Sequence, residues 1–319
     1  MNRPCLSTTV VGLDIGESKI CVPVGEIQAD GRLRLIGLGQ AASRGVIFGQ
    51  IHDAALTLES TREAVMEAEE MARTKITGVF IGTSVACIKW GQRRILVPRT
   101  PDCALHQSIE LVLALGLTVA GVVFKGSASG MAVLTSAQKQ QGALVIDIGA
   151  GMTHYAVFSR GLPINAGVIP IGGNAISYKL ASELRYTVAC AERSKRSDYN
   201  SVLSNGRANR LNPNFNLSGI DFEAIRRITR SEMEKYFRKI RHKTSAVWGS
   251  VGAGVFLTGG GSRLAGVDVL CSQVFGSPAS IARLANKDYE MKALNHPEFS
   301  TGIGLVEYGA SLAPRRFGS

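Results

Sequence analysis

Val10-Val11-Gly12-Leu13-Asp14-Ile15-Gly16 returns as Leu144-Val145-Ile146-Asp147-Ile148-Gly149-Ala150-Gly151, with the two aspartates 133 positions apart. Each copy is an apolar run that ends in Asp-x-Gly and is followed by a second apolar run, 18–24 in the first case and 153–158 in the second. Strand, tight glycine turn, strand is the pattern of a β-hairpin. Two such hairpins predict two related half-domains facing each other across a cleft. A third glycine cluster, Val255-Phe256-Leu257-Thr258-Gly259-Gly260-Gly261-Ser262, follows a β-rich run and precedes the helix-like stretch 267–275. Strand, glycine loop and helix in that order favour the approach of a phosphate or nucleotide.

The rest of the chain is consistent with that organisation. Its 319 residues, 45% hydrophobic, suit about two domains. Apolar runs alternating with amphipathic stretches predict an α/β class. Cysteines 5, 21, 87, 103, 190 and 271 include no Cys-x-x-Cys pair, which argues against a zinc site or disulfide framework and for a reducing cytoplasm. Cys21, Cys87 and Cys271 lie in apolar runs and are expected as small core residues. No apolar stretch approaches the ~18–20 residues of a membrane span. Asp14 and Glu17 interrupt the N-terminal region too early for a signal peptide. The expectation is a soluble chain that reaches a membrane only through a partner.

Charge is unevenly spread. The chain carries a net +11; residues 1–150 hold 14 basic and 13 acidic side chains, whereas 185–243 hold 14 basic against 6 acidic. A charge run is most often a solvated helix face, yet its concentration in one segment also suits an acidic partner. Phe222, Ile225, Ile228, Tyr236, Phe237 and Ile240 predict a helix over 221–243 with Arg226, Arg227, Arg230, Lys235, Arg238 and Lys239 on its other face. Ser218 and Asp221 form a candidate capping pair ahead of it. Further helices are expected at 59–73 and 109–115, and a loop over 205–218, rich in Asn, Gly and Pro. His52, His106, His242 and His296 lack partnered spacing and are expected at the surface. His154, in the second hairpin, is expected on a strand face, with a role near a nucleotide as the alternative. Trp90 and Trp248 read as core or subdomain contacts.

A nucleoside triphosphate needs backbone N–H donors close to its oxygens and carboxylates to hold hydrated Mg²⁺. Gly16, Gly149 and Gly151 permit close backbone approach, and Asp14 and Asp147 are the candidate metal pair. Lys19 can offset phosphate charge. Gly259, Gly260 and Gly261 would let a purine and ribose lie against bare backbone. One Asp-x-Gly alone is an ordinary turn; two in matched strand contexts, with the later glycine loop, form a specific combination.

These motifs match the two phosphate motifs and the adenosine motif of the actin, Hsp70 and sugar-kinase superfamily. Within it the chain resembles the FtsA family of bacterial cell-division actins. The resemblance is carried by 12–20 and 24–27, by Leu35-Ile36-Gly37-Leu38-Gly39, by Ser43-Arg44-Gly45-Val46 and by Phe124-Lys125-Gly126-Ser127-Ala128-Ser129. Gly172-Gly173-Asn174, Ala191-Glu192-Arg193-Ser194-Lys195 and 300–309 extend it over nearly the whole chain. It implies an α/β, actin-like (ribonuclease H-like) two-lobed ATPase fold with a nucleotide cleft. The first lobe would be 1–142 plus 300–319, the second 143–183 plus 249–299, with a basic subdomain inserted at 184–248. Helices flanking Gly126 and Gly302 would form the hinge.

The implied cofactors are ATP and Mg²⁺. The implied nucleotide site comprises Asp14, Gly16, Glu17, Ser18 and Lys19; Asp147, Gly149, Ala150, Gly151 and Met152; Gly172, Gly173 and Asn174; and Gly259, Gly260, Gly261 and Arg263. Glu192 and Lys195 would approach the adenosine opposite the third glycine cluster. The chain departs from the family in instructive ways. Only 99–106 separates the strand ending at Pro98 from the next helix, so the family's inserted subdomain is expected to be missing, as is its C-terminal membrane helix. Glu17 stands where the family has Thr, and Ala150 and Met152 replace Gly and Thr. Lys125 occupies the place of a water-orienting Glu or Gln and, while charged, cannot act as that base. The resemblance therefore implies a slow ATPase at most, assembling into filaments or a scaffold at the division site. Its expected partner is the acidic tail of tubulin-like FtsZ, bound on 185–243, with nucleic acid disfavoured. A nucleotide-free actin relative, a paralogue serving a pilus or organelle, and a small-molecule kinase are the alternatives.

Overall fold

The computed structural model describes residues 8–84, 104–203, 221–286 and 296–312. The first half runs β1 (Thr8–Ile15), β2 (Lys19–Ile27), β3 (Leu33–Ala42), β4 (Val46–Ile47), β5 (Gln50–Ile51), α1 (Ala54–Ala72), β6 (Gly78–Thr83), α2 (Ala104–Ala114), β7 (Thr118–Phe124), α3 (Lys125–Val133) and α4 (Ser136–Gln141). The second runs β8 (Ala143–Ile148), β9 (Thr153–Ser159), β10 (Leu162–Ile169), α5 (Gly173–Leu184), α6 (Val188–Leu203), α7 (Phe222–Thr244), β11 (Val255–Thr258), α8 (Val267–Phe275), β12 (Ala279–Ile281) and α9 (Ser300–Leu312).

The repeated motif seeds two sheets of the same design. Their strand orders are β3-β2-β1-β6-β7 and β10-β9-β8-β11-β12. In each, the strand ending in Asp-x-Gly is central, antiparallel to the next strand and parallel to a later one, β6 for β1 and β11 for β8. A central strand covered on both faces must be apolar along its whole length. Every residue of β8, Ala143–Ile148, is accordingly buried.

Helices cover the sheets. Ala64, Val65 and Ala68 of α1 and Leu111 and Val112 of α2 pack with Leu13, Ile20 and Ile81 of the first sheet. Ile225, Ile228, Tyr236, Phe237 and Ile240 of α7 share one cluster with Leu144, Ile146 and Leu257 of the second sheet. The apolar stripe read from the sequence is thus core, and the helix begins where Asp221 accepts the amide of Ala224 at 2.8 Å. Ser218, the other expected cap, and the loop 205–218 lie outside the described residues, as do Trp90, Cys87 and the segment 85–103. Segment 184–248, expected as an inserted subdomain, contributes α7 to the core of the second sheet.

Between the sheets lie α3 and α9. Val10, Cys21 and Leu38 of the first half and Val145, Ala156 and Phe158 of the second meet Ala132, Val133, Ile303 and Val306 in a shared cluster. Gly126 and Gly302, around which the family resemblance implied connecting helices, lie in the first turns of α3 and α9. The two helices approach so closely that a Cβ on Gly304 would lie 1.8 Å from the carbonyl oxygen of Ala128.

Candidate functional site

The two hairpin tips share one register and one closing hydrogen bond. In the first, Ile15 pairs with Ile20 and Gly16 N–H donates to Lys19 O at 3.1 Å. In the second, Ile148 pairs with Thr153 and Gly149 N–H donates to Met152 O at 2.9 Å. Asp14 and Asp147 occupy equivalent positions just before these turns, opposite Cys21 and His154.

Glu17 joins the two tips. Its Oε2 accepts the Phe48 amide at 2.7 Å, within the first half, and its Oε1 accepts Asn174 Nδ2 at 2.7 Å, from the second. The carboxylate lies so close to the second hairpin that a Cβ on Gly151 would be 1.6 Å from Oε2. Glycine at 151 is therefore needed for this contact. Met152 reaches the other way: a Cβ on Gly49 would lie 3.3 Å from Met152 Cε. Ser84 Oγ and His154 Nε2 add a third link at 2.8 Å. Burial drives the His154 pKa down to about 3, and the positive charge of Lys125 pushes it the same way. His154 is thus a neutral strand-face histidine.

Several residues expected to meet phosphate have protein partners. Gly173 and Asn174, at the start of α5, donate their amides to Gly149 O at 2.9 Å and Ala150 O at 2.8 Å. This helix terminus, extended backward by Gly172, caps the hairpin instead of presenting free donors. Lys19 lays its ammonium 3.5 Å from the centre of the Phe299 ring, a cation–π contact. Burial lowers its pKa, against the pull of Cys21, Glu298 and Asp14. Ser18 stays exposed at the tip.

Glu192 and Lys195 lie one step behind the second hairpin. Lys195 Nζ donates to Gly173 O at 2.8 Å, Ser177 Oγ at 2.8 Å and Glu192 Oε2 at 2.6 Å. Ser177 also donates to Glu192 Oε2, and Arg196 Nε donates to Oε1 at 2.7 Å. Burial alone would raise the Glu192 pKa, but Lys195, Ser177 and Arg196 hold it down at about 2.

Of the third glycine cluster only Gly260 faces open space. Gly259 has φ +78°, and its Cβ would meet Asp147 Oδ1 at 2.3 Å, while a Cβ on Gly261 would meet the Ile148 side chain at 2.3 Å. Two of the three glycines therefore serve packing against β8, and bare backbone for a purine is confined to Gly260. Arg263 is paired with Glu298 at 3.0 Å.

The metal pair departs most from expectation. Asp147 is buried, its Oδ2 accepting Ser129 Oγ at 2.5 Å and Thr301 Oγ1 at 2.7 Å. Burial raises its pKa above the usual carboxylate range, and the two hydroxyl bonds oppose that rise. Lys125 Nζ lies 2.9 Å from Asp14 Oδ1 and donates to Ile15 O at 2.6 Å. The contact with Oδ1 lies off the hydrogen-bonding direction, which makes it one of charge. A dication about 4 Å from that ammonium would be repelled by on the order of 8 kcal/mol at effective dielectric 20. Asp14 and Asp147, as arranged here, do not fit a divalent ion. Sequence reading treated Lys125 only as a lost base. The missed signal was its standing as the lone charge in the apolar run 117–134, because a buried charge requires a partner.

The family model described as "Cell division protein FtsA" matches residues 144–304, half of the chain. The cell division protein FtsA of Pseudomonas aeruginosa is 26% identical, the match covering 94% of this chain and 89% of that protein. For FtsA of Neisseria meningitidis the figures are 27%, 94% and 90%. The Pseudomonas alignment spans 381 positions against 319 residues here, so at least 62 of its positions face no residue of this chain.

Among solved structures, the ethanolamine utilization protein EutJ from Carboxydothermus hydrogenoformans superposes with TM-score 0.66 at 20% identity, covering 95% of this chain and 91% of that one. The PilM–PilN type IV pilus biogenesis complex gives 0.64 at 19%, covering 94% and 98%. MreB5 of Spiroplasma citri bound to ADP gives 0.64 at 15%, covering 95% and 97%. The fold is actin-like. With duplicated sheets, paired Asp-x-Gly hairpins and a family match over half its length, this chain belongs to the cell division protein FtsA family.

Proposed function

We propose that this actin-like division protein binds ATP between its two hairpins and assembles into filaments or a scaffold. We further propose that it docks the acidic tail of tubulin-like FtsZ on the 185–243 segment. The observation that supports the nucleotide reading is the matched pair of hairpin tips, brought together by the fold with Gly260 open beside them. The MreB5 structure of the same fold carries ADP, which accords with this reading. Glu17 lies across the space between the tips, so nucleotide entry requires its two hydrogen bonds to yield. Hydrolysis is slow or absent, because Lys125 is an ammonium committed to Asp14 and cannot accept a proton from an attacking water. Calorimetry of ATP against the purified chain is expected to show saturable binding. No heat up to about 1 mM ATP would mark a nucleotide-free actin relative.

A second reading, a paralogue serving a pilus or organelle, is favoured by the fold shared with PilM in its complex with PilN. Failure of an FtsZ-type tail peptide to bind, with ATP binding intact, would select it.

A further inference from the structure

We propose that Lys125 is a resident counter-ion standing in for a divalent metal, so that this cleft takes a nucleoside polyphosphate without needing Mg²⁺. The inference rests on the nucleotide reading of the cleft and deepens it.

Four observations carry it. Lys125 is the first residue of α3, where the helix dipole disfavours a cation, so its position needs compensation from elsewhere. That compensation is specific: the Asp14 carboxylate at 2.9 Å and the Ile15 carbonyl at 2.6 Å, both at the tip of the first hairpin. Room for the stem is provided by Gly82 on β6, where a Cβ would lie 3.1 Å from Lys125 Cγ and 3.3 Å from Cε. The other aspartate, Asp147, is buried and turned to the Ser129 and Thr301 hydroxyls, which occupy its Oδ2. One buried positive charge is therefore held on the first aspartate, while the second is taken up by hydroxyls. A metal ion between the hairpins would neutralise phosphate charge, and a fixed ammonium offers the same sign of charge without coordination.

The experiment compares ATP and ADP binding by calorimetry in magnesium and in EDTA, using the full chain and Lys125→Met, which keeps stem length and removes charge. For the unaltered protein, affinity is expected to change by less than about threefold on removal of metal; for Lys125→Met, affinity in EDTA should fall by about tenfold or more and be partly restored by magnesium. Binding by the unaltered protein only in magnesium would overturn the inference and leave the nucleotide reading standing. Binding in neither buffer would overturn both. A measurement independent of nucleotide and of the variant's folding is the paramagnetic resonance of Mn²⁺ added to the unaltered protein. The inference expects the free-ion spectrum to persist, and a bound-ion spectrum would overturn it.

Discussion

Glu17 and His154 both make hydrogen bonds across the seam between the two halves. The Glu17 carboxylate is held by the Phe48 amide and Asn174 against the second hairpin, where an incoming phosphate would meet like charge. Glu17→Thr removes that charge and is expected to tighten ATP binding by about tenfold, a discounted share of the ~4 kcal/mol repulsion between unit charges 4 Å apart at effective dielectric 20. Calorimetry on the two proteins decides it, and equal or weaker affinity would show that the interlobe bonds matter more than the repulsion. His154 is buried neutral with its pKa lowered to about 3. An unfolded histidine takes up its proton near pH 6.5, so on acidification the unfolded chain binds a proton that the folded one refuses. Stability is therefore complete above about pH 6.5 and declines as pH falls toward 3, by about 2 kcal/mol at pH 5. Urea unfolding at pH 7.5 and 5 should show this loss, and His154→Gln should reduce the slope; an unchanged slope would place the titration elsewhere.

At the scale of elements, α7 divides cleanly into a core face and a charged face. Its apolar stripe joins the second sheet, while Arg226, Arg227, Arg230, Lys239 and Lys243 are exposed. Part of that charge is engaged: Lys235 with Glu232, Arg238 with Glu234, and Arg230 with Gln273 of α8. Such rim charges mainly raise association rates and are screened by salt. Charge reversal at Arg226, Arg230 and Lys239 together is expected to weaken an FtsZ-type tail peptide by about tenfold at low salt while leaving ATP affinity unchanged. Titrating peptide and random duplex DNA at one ionic strength separates the partners, since nucleic acid gives a steep salt dependence without sequence preference. Tighter binding to DNA would remove the division partner from this face.

For the whole molecule, the contact between α3 and α9 joins the halves. Gly304 sits where any side chain would collide with the Ala128 backbone, and the cluster around Val133 and Ile303 draws on both sheets. Gly304→Ala is expected to cost about 3 kcal/mol, because neither backbone can move without disturbing that cluster. Chemical denaturation measures it. A loss under about 1 kcal/mol would mean that the helices can part and the halves adjust independently.

Local pattern by itself determined much of this protein. The repeated Asp-x-Gly runs, fully apolar before each turn, specified two hairpins because a strand buried on both faces leaves a continuous apolar signature. The stretch Val267–Phe275 read as a helix and is α8, and the stripe on α7 marked its buried face. The family also was legible, since its motifs are short and local. Only the tertiary structure decided what the charged side chains of the site do. Lys125 and Asp14 are 111 positions apart, Glu17 and Asn174 are 157 apart, and Asp147 and Thr301 are 154 apart. No periodicity or spacing encodes such pairs. They arise when two sheets and their joining helices exclude water from the seam, leaving each buried charge to find a partner in the chain.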